Sequence, residues 1–163
     1  MRLLLDTSYF FSYFKVAIEG FSFDFINILF NHNDLSLCIS EMSYVELTAK
    51  CFKLGLVDSK IQTEDIISGL DSLRNDSRIE SIGWYHNPKI IEIANVLRKI
   101  HTDFFDCMIF GTAVLEADAI GTFADTLYKK IVKNNEIKQT LRKINPEFEF
   151  WFYNFKNIPK RLK

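Results

Sequence analysis

Little in this sequence belongs to a secreted, membrane-spanning or zinc-stabilised protein. Its three cysteines, Cys38, Cys51 and Cys107, lie far apart in apolar surroundings and show none of the CxxC or Cys/His spacings of a zinc site. They read as buried thiols in a reducing cytoplasm. No apolar run reaches the length of a membrane span, and the opening Met1-Arg2-Leu3-Leu4-Leu5 meets Asp6 too early for a secretory signal. A cytoplasmic protein is expected. Histidine is scarce too: His32, His86 and His101 are scattered, each is expected at the surface, and none is needed for a site. There is no internal repeat, low-complexity tract or Gly/Ser linker.

What is present is a chain of 163 residues, a length that suits one domain and can bury a continuous core. Apolar residues make up 48% and charged residues 25%, as in ordinary soluble globular proteins, and 16 Phe point to a bulky aromatic core. One domain over residues 1–155 is expected, followed by a basic tail from Lys156 to Lys163. The net charge of −1 hides an uneven distribution. Residues 1–125 carry 10 Lys or Arg against 18 Asp or Glu, whereas residues 126–163 carry 10 basic and 3 acidic residues. A basic end on an acidic body fits a protein that handles a polyanion, and it equally fits a solvated helix face.

Periodicity indicates alternating strands and helices. Arg2 to Leu5 is a short apolar run of the kind buried on both faces of a parallel sheet. Asp34 to Ser40 alternates, Arg78 to Trp84 gives a weaker strand, and Ala119 to Phe123 gives a fourth. Near the end Phe148, Phe150 and Phe152 alternate with Glu149, Trp151 and Tyr153 as a last edge strand. Helical spacing covers Ser8–Lys15, Phe23–Phe30, Ser43–Leu54, Asp65–Leu73, Pro88–Ile100 and Phe104–Ala117, with another helix starting near Thr126. Such alternation predicts βαβ crossovers and an α/β fold with a mostly parallel sheet.

In such a sheet ligands bind beyond the carboxyl ends of the strands. Asp6 follows the first strand directly and Asp125 follows the fourth. Glu46 is expected in the first turn of the helix after the second strand, and Asp106 in the first turn of the helix that feeds the fourth. All four acids therefore fall on one edge, although they are far apart in sequence. Carboxylates gathered there repel one another unless they are protonated or neutralised, and a hard divalent cation such as Mg²⁺ or Mn²⁺ is the natural partner. Each acid also has a local explanation. Asp103 caps the helix while Asp106 complements its dipole; Ser43 and Glu46 form a capping box; Asp6 serves an Asx-turn or caps the next helix, and Asp125 caps the one after it. Four such coincidences on one edge are less economical than one shared site.

The pattern resembles the PIN-domain family over roughly Arg2 to Lys130. The residues that carry the resemblance are Leu3-Leu4-Leu5-Asp6-Thr7-Ser8, Ser40-Glu41-Met42-Ser43-Tyr44-Val45-Glu46-Leu47, Asp106-Cys107-Met108-Ile109-Phe110-Gly111-Thr112-Ala113 and Ile120-Gly121-Thr122-Phe123-Ala124-Asp125. The resemblance implies an α/β/α sandwich and a metal site of Asp6, Glu46, Asp106 and Asp125, with Asp103 as cap, outer group or extra ligand. Thr7 or Ser8 and Thr122 would be polar neighbours. One departure is that Phe123 and Ala124 both stand between Thr122 and Asp125, where the family commonly has a single residue. The implied activity is hydrolysis of RNA phosphodiesters, single-stranded RNA foremost, with Ser8, Thr122, Lys129, Lys130 and Lys133 near the substrate. Many relatives of this type resemble toxins held by a small antitoxin, and many form dimers. Two rivals stand beside this reading. One is a PIN-like module that binds RNA or protein and cleaves nothing. The other is a haloacid-dehalogenase-like phosphatase with Asp6 as nucleophile, in which a second acid would be expected where Ser8 stands.

Overall fold

Residues 1–21, 23–57, 61–123 and 125–152 are described by a computed structural model of the chain, without the side chains of 23, 24, 125, 151 and 152. Trp151 is therefore followed only along its backbone, and Tyr153 and the tail from Lys156 to Lys163 lie outside the described residues. Five strands, β1 (Arg2–Leu5), β2 (Ser36–Ser40), β3 (Ile79–Ile82), β4 (Ala119–Thr122) and β5 (Glu149–Phe152), form one sheet in the order β3-β2-β1-β4-β5. Every neighbouring pair is parallel, so the expected α/β sheet is parallel throughout.

Side-chain alternation along the strands builds two separate cores. Leu4, Cys38 and Ile120 point into one; Leu3, Leu5, Leu37, Ile39 and Ala119 point into the other. The first core packs under α4 (Lys89–Arg98), α5 (Phe104–Glu116), α6 (Asp125–Lys133) and α7 (Asn135–Ile144). The second packs under α1 (Phe23–Phe30), α2 (Glu41–Gly55), α3 (Thr63–Arg74) and a 3₁₀ helix over Thr7–Phe14. The result is an α/β/α sandwich. Much of the phenylalanine lies in these layers. Tyr9, Phe21, Phe25 and Phe123 interlock on one side of the sheet, and Phe110, Phe148 and Phe150 on the other. All three cysteines are buried free thiols. No helix among the described residues is long and apolar enough to cross a membrane.

Local chemistry sets the boundaries and corrects several expected ones. The Thr7–Phe14 segment is 3₁₀ rather than α-helical. It starts from Asp6, whose side chain accepts the Thr7 N–H, and stops at Lys15 in the left-handed region with φ 57°. Helix α2 starts two residues earlier than expected. Ser40, the last residue of β2, is its N-cap and accepts the Met42 N–H at 3.3 Å, so strand passes into helix without a loop. Glu46 consequently sits in the second turn, and its alternative role in a capping box with Ser43 is not realised; the buried Ser43 hydroxyl has no hydrogen-bond partner among the described residues. Helix α7 is a separate element beyond those that periodicity predicts. Asn134 caps it by accepting the Ile137 N–H at 3.1 Å, and Ile137 and Leu141, four residues apart, are its buried stripe.

Helix α5 is the central support on its side of the sheet. Every residue from Cys107 to Val114 is buried, as its continuous apolarity predicts. Its first residue, Phe104, differs, being half exposed. Gly111 lets α5 lie against α4, since a Cβ there would come within 2.8 Å of the Ile90 carbonyl oxygen. A backbone oxygen cannot move aside cheaply. Gly111→Ala is therefore expected to lower the unfolding free energy by about 1 to 2 kcal/mol, the overpacking outweighing alanine's better helix propensity. Urea denaturation of the two proteins measures this, and an equal or higher midpoint for the variant would contradict the packing argument.

Candidate metal centre

Strand order reverses between β1 and β4, because the chain runs outward through β2 and β3 and then returns to the other side of β1. This is the place in a parallel sheet where the loops part and leave a crevice. Asp6 lies at its floor. Its N–H donates to the Gly121 carbonyl at 2.9 Å, continuing the β1–β4 ladder by one residue. Its carboxylate is buried and takes two hydrogen bonds, from the Thr7 N–H on Oδ1 and from the Thr122 hydroxyl on Oδ2, each 2.7 Å long. Thr122 is the last residue of β4, so the two central strands hold the acid between them.

Glu46 reaches the same point from α2. It is buried to 3% exposure; Oε2 accepts the Thr7 hydroxyl at 2.5 Å and Oε1 pairs with Lys50 Nζ, one turn along, at 2.5 Å. Thr7 thus bridges two acids, with its amide on Asp6 and its hydroxyl on Glu46. Asp106 comes from the first turn of α5 and is partly exposed, with Oδ2 2.7 Å from His101 Nε2. A carboxylate oxygen from each of Asp6, Glu46 and Asp106 lies within 4.8 Å of the others. Helices α2 and α5 are held in register below the acids by a buried contact of 3.2 Å between the Ser40 and Thr112 hydroxyls.

Asp103 is the N-cap of α5, its Oδ1 accepting the N–H groups of Phe105 and Asp106 at 2.9 and 3.3 Å, and it is not among the three gathered acids. Asp125 begins α6, but its side chain lies outside the described residues, as does Ala124 before it. Ser8 is half-buried in the 3₁₀ helix; its neighbour Thr7 is the residue whose hydroxyl meets the cluster. Lys129 and Lys133 are exposed on α6, whereas Lys130 is half-buried with Nζ 3.5 Å from His101 Nδ1. His101 corrects the expectation of surface histidines, being buried to 8% exposure. Only its position five residues before Asp106 hints at this in the sequence.

The electrostatics follow from crowding without water. Burial, opposed by the Thr122 hydrogen bond and reinforced by the charges of Asp106 and Glu46, raises the Asp6 pKa from 3.8 to about 7. Desolvation works against the charge on Lys50, but the Glu46 hydrogen bond and the fields of Glu46, Asp6 and Asp106 outweigh it and push its pKa up. Beside the acids is a narrow cleft bounded by Asp6, Asp106, Ile109, Phe110, Thr122 and Leu127, with about 10 Å³ of room, enough for one water or ion. Oxygen donors at this spacing, in excess of the one nearby ammonium, fit a hard divalent cation such as Mg²⁺ or Mn²⁺.

The raised Asp6 pKa has a consequence for stability without metal. The folded chain keeps a proton on Asp6 that the unfolded chain releases near pH 3.8. This contribution is fully present below that pH and is lost as pH rises through about 7. In EDTA, the melting temperature is expected to fall across this window more steeply for the wild type than for Asp6→Asn, the difference reaching on the order of a few kcal/mol. At neutral pH, Mn²⁺ is expected to restore stability to the wild type. Calorimetric melts over the pH series check both, and parallel slopes in the two proteins would remove Asp6 as the source.

No family model matches the chain, and no curated protein matches it significantly. Among solved structures, a chain in the crystal structure of VapBC2 from Rickettsia felis, bound to a DNA fragment from its promoter, superposes with a TM-score of 0.58 at 18% identity, covering 94% of this chain and 100% of that one. At that identity the likeness establishes a shared fold: the parallel α/β/α sandwich derived above is also that of a chain in the VapBC2 structure.

Proposed function

We propose that this protein is an Mg²⁺- or Mn²⁺-dependent ribonuclease of the PIN-domain type, acting as the toxin of a toxin–antitoxin pair. The observation that carries the reading is the convergence of Asp6, Glu46 and Asp106 within 4.8 Å at the switch point of the sheet, from three elements with no local reason to meet. A divalent cation there supplies a Lewis acid that acidifies water and offsets the charge that builds on a phosphodiester during in-line displacement. Asp6, Glu46 and Asp106 would hold it, and we assign Asp125 to the same set as the acid that follows β4 in the sequence. Thr122 and Thr7 fix the carboxylates of Asp6 and Glu46 by donating to them, so little reorganisation is needed on loading. Ile109, Phe110 and Leu127 form an apolar wall that limits solvent beside the acids.

The RNA strand is expected to lie along the basic side of the molecule. A groove next to the acidic cleft shares Phe110 and Phe150 with it and carries Lys138 and Arg142 among further aromatic residues, a combination suited to phosphates and bases. Lys129 and Lys133 on α6 extend the positive charge, and Ser8, next to Thr7 in the 3₁₀ helix, is assigned to the substrate side. An RNA substrate sets the protein in the cytoplasm. On this reading a small antitoxin is the expected partner and a homodimer the expected assembly; the support for it is the fold shared with a chain of the VapBC2 structure.

The test is cleavage of single-stranded RNA by the purified chain. Activity is expected with Mn²⁺ or Mg²⁺, none in EDTA, and a loss of at least about 100-fold in Asp6→Asn and Asp106→Asn, since removing a ligand costs more than removing its outer partner. Cleavage that survives both substitutions would overturn the site. Tight RNA binding with no metal uptake and no cleavage would instead identify a binding module.

A further inference from the structure

His101 is a buried imidazole that the proposed chemistry leaves without a role. It follows α4, its N–H still donating to the Leu97 carbonyl at 2.9 Å, and its own carbonyl accepts the Cys107 thiol at 3.7 Å. The ring is thereby fixed at its backbone to both α4 and α5. Its two nitrogens meet different partners: Nε2 lies 2.7 Å from Asp106 Oδ2, and Nδ1 lies 3.5 Å from Lys130 Nζ on α6. An ammonium has hydrogens to donate and no lone pair to accept with. Nδ1 must therefore be the acceptor, and a neutral ring then carries its proton on Nε2, where it donates to Asp106. The chain of donors runs Lys130 to His101 to Asp106.

We propose that His101 is a positioning residue for the acidic centre. Held by Lys130 in the Nε2–H form, it fixes the Asp106 carboxylate by occupying one acceptor site of Oδ2, which leaves Oδ1 the less engaged oxygen for a cation. The inference rests on the metal-centre reading above and adds to it the group that orients one of the three ligands. Asp106 needs such a device more than its neighbours. The Asp6 carboxylate receives hydrogen bonds from Thr7 and Thr122 and that of Glu46 is held by Thr7 and Lys50, whereas His101 is the one side chain bonded to the Asp106 carboxylate among the described contacts. Asp106 is also the least buried of the three. A ligand free to rotate must be ordered when a cation arrives, and that ordering weakens binding; a ligand already ordered avoids it.

The experiment is Mn²⁺ titration of the full-length protein by calorimetry, with melting curves to confirm folding. His101→Leu keeps an apolar filling but removes the donor, and a Kd about 10- to 100-fold weaker is expected. His101→Gln restores an N–H near the Nε2 position and is expected to stay within about 3-fold of wild type. A Leu variant that binds as tightly as wild type, or a Gln variant as weak as Leu, would show that His101 only fills space. Failure of the wild type to bind Mn²⁺ would overturn the metal centre itself, and this proposal with it. Should the Leu variant not fold, the ¹⁵N spectrum of the His101 ring in the metal-free wild type at neutral pH decides. A proton on Nε2 alone supports the arrangement; a proton on Nδ1, or on both nitrogens, overturns it.

Discussion

The acidic centre depends on how closely β4 runs beside β1 at the point where strand order reverses. Leu5 pairs with Gly121, and a Cβ at Gly121 would stand 3.0 Å from Leu5 Cδ2 and 3.3 Å from the Tyr9 hydroxyl. Glycine there leaves room for the Leu5 and Tyr9 side chains to lie close against the strand. The next residue, Thr122, then arrives with its hydroxyl against Asp6. The same approach that orients Asp6 excludes water from it. Burial does more than any neighbouring charge to raise its pKa, so the geometry that prepares the ligand also makes its charge costly in the absence of a cation.

From this pairing the other ligands follow by packing. Ser40 ends β2 and starts α2, which sets the phase of that helix and turns Glu46, six residues on, toward Thr7. The Ser40 hydroxyl meets Thr112, which also donates back to the Met108 carbonyl within α5. One buried polar contact therefore fixes α2 against α5 at the depth of the sheet, and the first turn of α5 carries Asp106 to the acids above it. Gly111 lets α4 lie against α5, and His101, three residues beyond the end of α4, reaches Asp106. A buried polar contact restrains helix position more sharply than apolar packing, which tolerates sliding.

Much of this architecture is legible in the sequence because the strands obey strong local rules. The run Leu3-Leu4-Leu5 ended by Asp6, and the alternation through Leu37 and Ile39, encode which face each residue takes, and the parallel order follows from the helices between. Asp6, Glu46 and Asp106 are legible as one group through topology alone. What resists reading is phase and long-range contact. Ser40 has the pattern of a strand residue but is also a helix cap, and that second role displaces Glu46 by a turn. The 3₁₀ form of Thr7–Phe14 depends on packing against the sheet, since its composition suits an α-helix equally well. His101 and Lys130 are 29 residues apart, and beyond the place of His101 five residues before Asp106 nothing local distinguishes either from a surface residue. Helix α7, by contrast, does carry local signals: Asn134 at its cap and Ile137 and Leu141 on one face.

The position of Lys50 bears on how much charge the centre can hold. With all three acids ionised, as a bound cation requires, their charge exceeds that of the Lys50 ammonium paired with Glu46 by two, the amount that one divalent cation offsets. Lys50 is about half exposed and rooted one turn from Glu46, so its ammonium can withdraw toward solvent without disturbing the helix. A lysine in that place offsets part of the repulsion among the acids while the centre is empty of metal. It does so without taking the coordination that a cation needs: an ammonium engages one oxygen through a hydrogen bond, whereas a divalent ion draws several oxygens together at once. On the metal-centre reading, the fold thus holds the acids apart just enough to remain stable and near enough for a cation to join them.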